Sequence, residues 1–100
     1  MKILITSATA AEAHKLKGKL INNEVLLGDH ADLPAFMRSN IIKLPNPATD
    51  TYAHEMLTLS LDMEIEALYL LQGQELEILL RSEVLFNEYH INIIDGRNYL

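Results

Sequence analysis

The chain has no cysteine. Disulfides, thiolate nucleophiles and cysteine-ligated metals are therefore excluded. Basic residues are also few. Eight Lys and Arg stand against fourteen Asp and Glu, a net charge of -6, and the basic residues form no run. A nucleic-acid partner requires a basic stripe to neutralise phosphates, so none is expected. The apolar runs are short, "ALYLL" (67–71) being typical, and a bilayer span needs about 20 apolar residues. The opening "MKILITSATA" has one Lys and only a brief apolar centre, short of a signal peptide's apolar region. The expectation is a cytoplasmic protein with no membrane contact. Glycine occurs four times, never between Thr6 and Lys17. Neither GxSxG, a Walker loop nor HExxH occurs, so no catalytic motif, metal or cofactor is expected from motifs.

What is present is a pattern. One hundred residues, 49% apolar and 22% charged, suit one soluble domain spanning residues 1–100. Five apolar runs stand out: "KILIT" (2–6), "EVLLG" (24–28), "NIIKL" (40–44), "EALYLL" (66–71) and "INIID" (91–95). Between them lie segments of helical composition at 10–20, 49–62 and 74–88, and a stretch at 31–39 long enough for two turns at most. Thr49 or Asp50 is placed to cap the helix at 49–62, and "GRNYL" reads as a short tail. The runs are continuous rather than alternating, as in strands covered on both faces. Strict alternation with helices implies right-handed crossovers and a parallel sheet. The expected fold is a three-layer, doubly wound α/β domain, Rossmann-like, with strand order 3-2-1-4-5.

Such sheets bind ligands outside the carboxyl ends of their strands, beside strand 1 where the winding reverses. "GDHADLP" (28–34) falls on that edge. Asp29 follows Ser7 by 22 residues, about where a dinucleotide-binding domain carries its ribose-binding acid. The glycines that let a backbone approach a pyrophosphate are missing from "TSATAAEAHKLKG", so tight binding of NAD or ATP is not expected. Asp29 reads equally as the cap of the turn that follows it. Ser7 and Thr9 can hold a small anion at a helix amino terminus or serve as simple caps. His30 with Asp29 and Asp32 lacks a third ligand at a definite spacing. His14 and His54 lie on helices and His90 precedes strand 5, so no shared metal cluster is expected. The candidate ligand residues are Ser7, Thr9, Asp29, His30 and Gln72.

Taken together, "MKILITSA" before a helix, "VLLGDHADLP", "IIKLPNP" before a helix, and "EIEALYLLQGQELEILLRSEVLFNEYHINII" resemble the pre-ATP-grasp domain. This is the Rossmann-like amino-terminal domain of ATP-grasp ligases and of proteins like the carbamoyl-phosphate synthase large subunit. In that family the third strand often ends in an apolar residue and proline, as Leu44-Pro45 do here. The family often has glycines after strand 1, where this chain has "TSATAA". Its ATP and magnesium sites lie in a following ATP-grasp module, and this sequence stops at Leu100. The resemblance therefore implies no catalytic residue here. It implies a split subunit or free-standing relative, or else a piece of a longer enzyme.

The helix at 49–62 has a core stripe of Tyr52, Met56, Leu59 and Met63. In the helix at 74–88, Leu76, Leu79, Leu80 and Val84 form one stripe. The remaining apolar positions, Leu57 and Leu61 on the first helix and Ile78, Leu85 and Tyr89 on the second, either join into an exposed contact patch or fill the groove between the helices. The first reading is a non-catalytic module that packs against an ATP-grasp-type catalytic partner or itself as a homodimer, with Leu57, Leu61, Ile78 and Leu85 central. The second is a degenerate nucleotide- or small-ligand-binding domain using the strand-end edge. A small enzyme comes last, for want of a nucleophile, base and metal constellation.

Overall fold

The structure is a computed structural model that describes residues 1–38 and 40–100, apart from the side chains of Met37 and Arg38. Its strands are β1 (Lys2–Ile5), β2 (Glu24–Asp29), β3 (Ile41–Lys43), β4 (Ala67–Leu70) and β5 (Asn92–Asp95). They form one sheet of order β3-β2-β1-β4-β5, with every pairing parallel. This is the doubly wound α/β fold expected from the apolar runs. β1 sits at the centre, registering Ile3 against Val25 of β2 and against Ala67 of β4.

The helices are α1 (Ala11–Lys19), α2 (Ala35–Arg38), α3 (Tyr52–Asp62), α4 (Gly73–Leu80) and α5 (Glu83–Glu88), and a 3-10 turn covers Gly96–Tyr99. Alternate residues of the central strands feed two separate cores, as the pleat requires. Leu4, Leu68 and Leu70 face Tyr52, Met56, Leu79 and Phe86 from α3, α4 and α5. Ile3, Ile5, Ala67 and Tyr69 face Ala13 and Leu16 of α1. The second core is closed by Tyr99, whose ring meets Tyr69 edge-on at 5.6 Å between centroids. Among the described residues, no helix is long and apolar enough to cross a membrane.

The stretch 31–39 holds a single turn, α2, within the two turns expected at most, and its last position, Ser39, lies outside the described residues. Other local expectations are corrected. α3 begins at Tyr52 rather than at 49, and its N-cap position is Thr51. The Thr51 hydroxyl donates to Glu55 Oε2 at 3.0 Å, while Thr49 is engaged in the turn after "PNP" through Asn46. The tail is the 3-10 turn itself, opened by Asp95, whose carboxylate accepts from the Arg97 N–H at 3.0 Å.

The single helix expected at 74–88 is two. Ser82 donates its N–H to the Leu79 carbonyl, three residues back, and takes φ -112°, ψ 17°, outside the helical range. Serine is a poor helix-interior residue and a good first residue for a new helix. The break shifts the apolar phase. Leu79 and Phe86 are completely buried, while Leu80 and Val84, expected in the core, stand 44% and 76% exposed. The α3 stripe holds, with Tyr52 and Met56 buried and Leu59 and Met63 packed against them. Leu57, expected at the centre of a surface patch, is itself a core residue, 8% exposed, and Ile78 packs half-buried against the same core. Leu61 and Leu85 do reach the surface.

Candidate functional site

The carboxyl edge of the sheet gathers most of the polar groups singled out above. β2 ends on Asp29, a buried acid. Gly28, just before it, lies against Leu44, so that a Cβ there would come within 2.8 Å of that side chain. A larger residue at 28 would push Leu44 out of the core, so glycine is needed for this close approach.

The Asp29 carboxylate turns back onto its own chain. Oδ2 accepts from the Thr9 N–H at 3.3 Å and from the Thr9 hydroxyl at 3.1 Å. Oδ1 accepts from the Ala31 N–H at 3.0 Å. The Ala8 N–H reaches the Gly28 carbonyl at 3.0 Å and completes the tie between the loops after β1 and β2. Burial on its own would raise the carboxyl pKa, but the hydrogen bonds from Ala31 and Thr9 and the nearby charge of His30 outweigh it and hold Asp29 below the usual range. The acid therefore contributes stability above pH 3.8, its ordinary pKa, and that contribution is lost as pH falls through its lower folded value. Asp29→Ala is expected to leave these donors unpaired and to cost about 1–3 kcal/mol at pH 7. Urea midpoints of the two chains should converge as pH is lowered through the acid range. A neutral-pH midpoint unchanged by the substitution would show that the loop tie carries no energy.

A second group of polar side chains lies deeper. The Thr6 hydroxyl accepts from the Leu71 N–H at 3.1 Å and donates to the Glu75 carboxyl. Glu75, in the first turn of α4, is 1% exposed, and its Oε2 has no partner among the described residues. Tyr52, at the start of α3, is equally buried, its hydroxyl likewise without a partner among them. Burial, and to a lesser degree the charge of Asp29, pushes the Glu75 carboxyl up against the opposing pull of Thr6 and His30. The Tyr52 phenol is pushed up too, by burial and by Glu75. Ser7 completes this edge with φ 56°, the left-handed region, and a buried, unpartnered Oγ.

The sequence candidates thus fall into separate places. Thr9 and Asp29 are bonded to each other. Ser7 and Gln72 line one groove of about 390 Å³ together with Arg97. Asp29 borders another, of about 380 Å³, with Leu33, Ile41 and Lys43. His30 lies half-buried and close enough to act electrostatically on both Asp29 and Glu75, and its carbonyl accepts from Lys43 Nζ at 2.8 Å. Gln72 occupies the N-cap of α4, where its carbonyl accepts from the Leu76 N–H at 3.1 Å but its side chain makes no cap bond. Among the described residues, no three His, Asp or Glu side chains are grouped to hold a metal. Sequence reasoning missed Thr6, Tyr52 and Glu75 as a set. The available signal was spacing: Glu75 stands four residues before Leu79, on the side of α4 that faces the core.

A five-stranded parallel sheet of this order, with its polar groups at the carboxyl edge, defines a Rossmann-like α/β domain. No family model and no curated protein matches the sequence. Among solved structures, glycinamide-RNase-transformylase T from Mycobacterium tuberculosis is similar, with a TM-score of 0.61 and 10% identity over 93% of this chain. The matched part is 28% of that chain, so this domain corresponds to just over a quarter of its length. At this identity the likeness is one of fold, and it supports the Rossmann-like α/β domain expected from the layout.

Proposed function

We propose that the chain is a non-catalytic Rossmann-like module of the pre-ATP-grasp type, which packs against an ATP-grasp-type catalytic partner or against a second copy. One observation carries the reading. In a nucleotide-binding sheet the acid ending β2 accepts the ribose hydroxyls. Here Asp29 accepts from Thr9 and Ala31 instead, so the edge is organised to hold its own loops together. The likeness in fold to the transformylase supports the same reading. Large apolar side chains on the α3–α5 layer, Leu61 and Leu85 among them, remain at the surface and are suited to contact with another chain.

The test is to mix the chain with an ATP-grasp-type ligase of the same organism, and to follow complex formation by light scattering after gel filtration. A stoichiometric complex supports the proposal. Leu61→Glu with Leu85→Glu is expected to disrupt assembly through this layer while leaving the melting temperature nearly unchanged, because both positions are exposed. Calorimetry on the isolated chain showing micromolar binding of ATP or NAD, with no complex formed and no self-association, would overturn the proposal.

A further inference from the structure

We propose that the outer surface of α4 and α5 docks an amphipathic helix of a partner protein, with an apolar seam flanked by Lys or Arg. This rests on the scaffold reading above and adds the place of contact and the chemistry of what binds. Of ten exposed large apolar side chains among the described residues, four fall between positions 80 and 89: Leu80 (44%), Val84 (76%), Leu85 (44%) and Tyr89 (50%). Leu80 ends α4, and across the break at Ser82 the α5 residues Val84 and Leu85 follow, with Tyr89 at the α5 C-cap four residues after Leu85, the spacing that puts two side chains on one side of a helix. Leu79 and Phe86 of the same segment are fully buried. The segment is therefore apolar on both sides, and only one side is satisfied by the fold.

Charge selects the occupant. Glu77, Glu83 and Glu88 are exposed along this segment. Its one cation, Arg81, is held by Glu77 at 3.0 Å. A second copy placed across a two-fold axis brings the same acids face to face, and like charges oppose that contact. A helix with basic flanks meets the acids with opposite charge and the four apolar side chains with its seam. The chain's own basic surface, Lys15, Lys17 and Lys19 on α1 beside exposed Ile21, covers the opposite sheet face. A copy could use it only head to tail, which yields open chains of molecules rather than a closed pair.

The experiment uses two synthetic helical peptides of about five turns, or 18 residues, with the same leucine seam, one flanked by Lys and one by Glu. Fluorescence anisotropy measures their binding to the native chain, to Val84→Glu/Leu85→Glu, and to Ile21→Glu as a control. The Lys-flanked peptide is expected to bind at least about tenfold more tightly than the Glu-flanked one, and the double variant to lose about tenfold or more while the control does not. The double variant is more acidic, so attraction by net charge alone would leave its binding equal or stronger, and that result overturns the proposal. Should the double variant unfold by circular dichroism, Val84→Ser/Leu85→Gln replaces it. Sedimentation of the native chain alone is expected to show a monomer; association abolished by either α4–α5 variant or by Ile21→Glu assigns the surface to a second copy and overturns the proposal. A ligase complex that survives Val84→Glu/Leu85→Glu removes this docking surface but keeps the scaffold reading, whereas a native chain that neither binds the ligase nor associates with itself removes the scaffold reading itself.

Discussion

Phe86→Ala is expected to destabilise the domain by about 3–5 kcal/mol, the range for truncating a fully buried aromatic side chain. Phe86 has no exposed surface and sits in the core with Leu4, Leu68, Leu79 and Ile91. Its backbone also holds the end of α5, because its carbonyl accepts from the N–H groups of Tyr89 and Ile91. A domain of this size has a total stability of about 5–15 kcal/mol, so the loss is a large share of it. With about 4–8 °C per kcal/mol for such chains, the melting temperature should fall by some tens of degrees. Calorimetric scans of the two chains decide the matter. A fall of only a few degrees would mean that α4 and α5 close over the cavity. Val84→Ala, on the exposed side of the same helix, should change the scan very little.

The second large effect concerns Glu75. Its carboxyl is buried beside Tyr52, and burial raises its pKa above the ordinary 4.5. In the unfolded chain the group ionises near 4.5, while in the folded chain it keeps its proton to higher pH. Between these two values the folded state binds more protons, so stability falls as pH rises through the interval and recovers as pH is lowered towards 4.5. Asp29 acts in the opposite sense at lower pH. The two together predict a stability maximum in the mildly acidic range. Glu75→Gln removes the ionisation and keeps an acceptor for Thr6. It should stabilise the domain above the folded pKa by about 1–3 kcal/mol, the scale of a buried group left unsatisfied, and flatten the decline towards neutral pH. Urea midpoints measured across that interval read both features. A native profile that rises steadily from acid to neutral pH would contradict the raised carboxyl.

How much of this was legible in the sequence depends on the element. The strands were, because continuous runs such as "KILI" and "ALYL" suit only a sheet covered on both faces. Their parallel pairing follows from the crossover rule and the alternation with helices, and the order 3-2-1-4-5 is one of the doubly wound orders these rules leave open. The break at Ser82 was not, since "QELEILLRSEVLFNE" is helical in composition throughout and a one-residue change of phase decides which leucines face inward. That shift moved Leu80 and Val84 out and brought Phe86 in. At the site, a carboxylate ending β2 serves a ribose and a neighbouring loop equally well, so Asp29 could be placed but not assigned. Its bond from Ala31, two residues on, is the turn cap expected from the sequence, whereas its bonds from Thr9 emerge only when the two loops meet in space. Glu75 was hidden for another reason. A glutamate among exposed-looking neighbours reads as surface, and only the position of α4 over β4 turns it inward.

The central place of β1 has a consequence for synthesis. The first strand of this domain to be made is its central one, and its second neighbour, β4, begins at Ala67. While the ribosome is still working through the first two-thirds of the chain, β1 can pair only with β2, and its far edge of backbone N–H and C=O groups stays open. Such an edge invites pairing with other chains. The emerging protein must hold this strand unsealed until residues 67–70 arrive, so a pause in translation within α3 should favour aggregation more than a pause after β4.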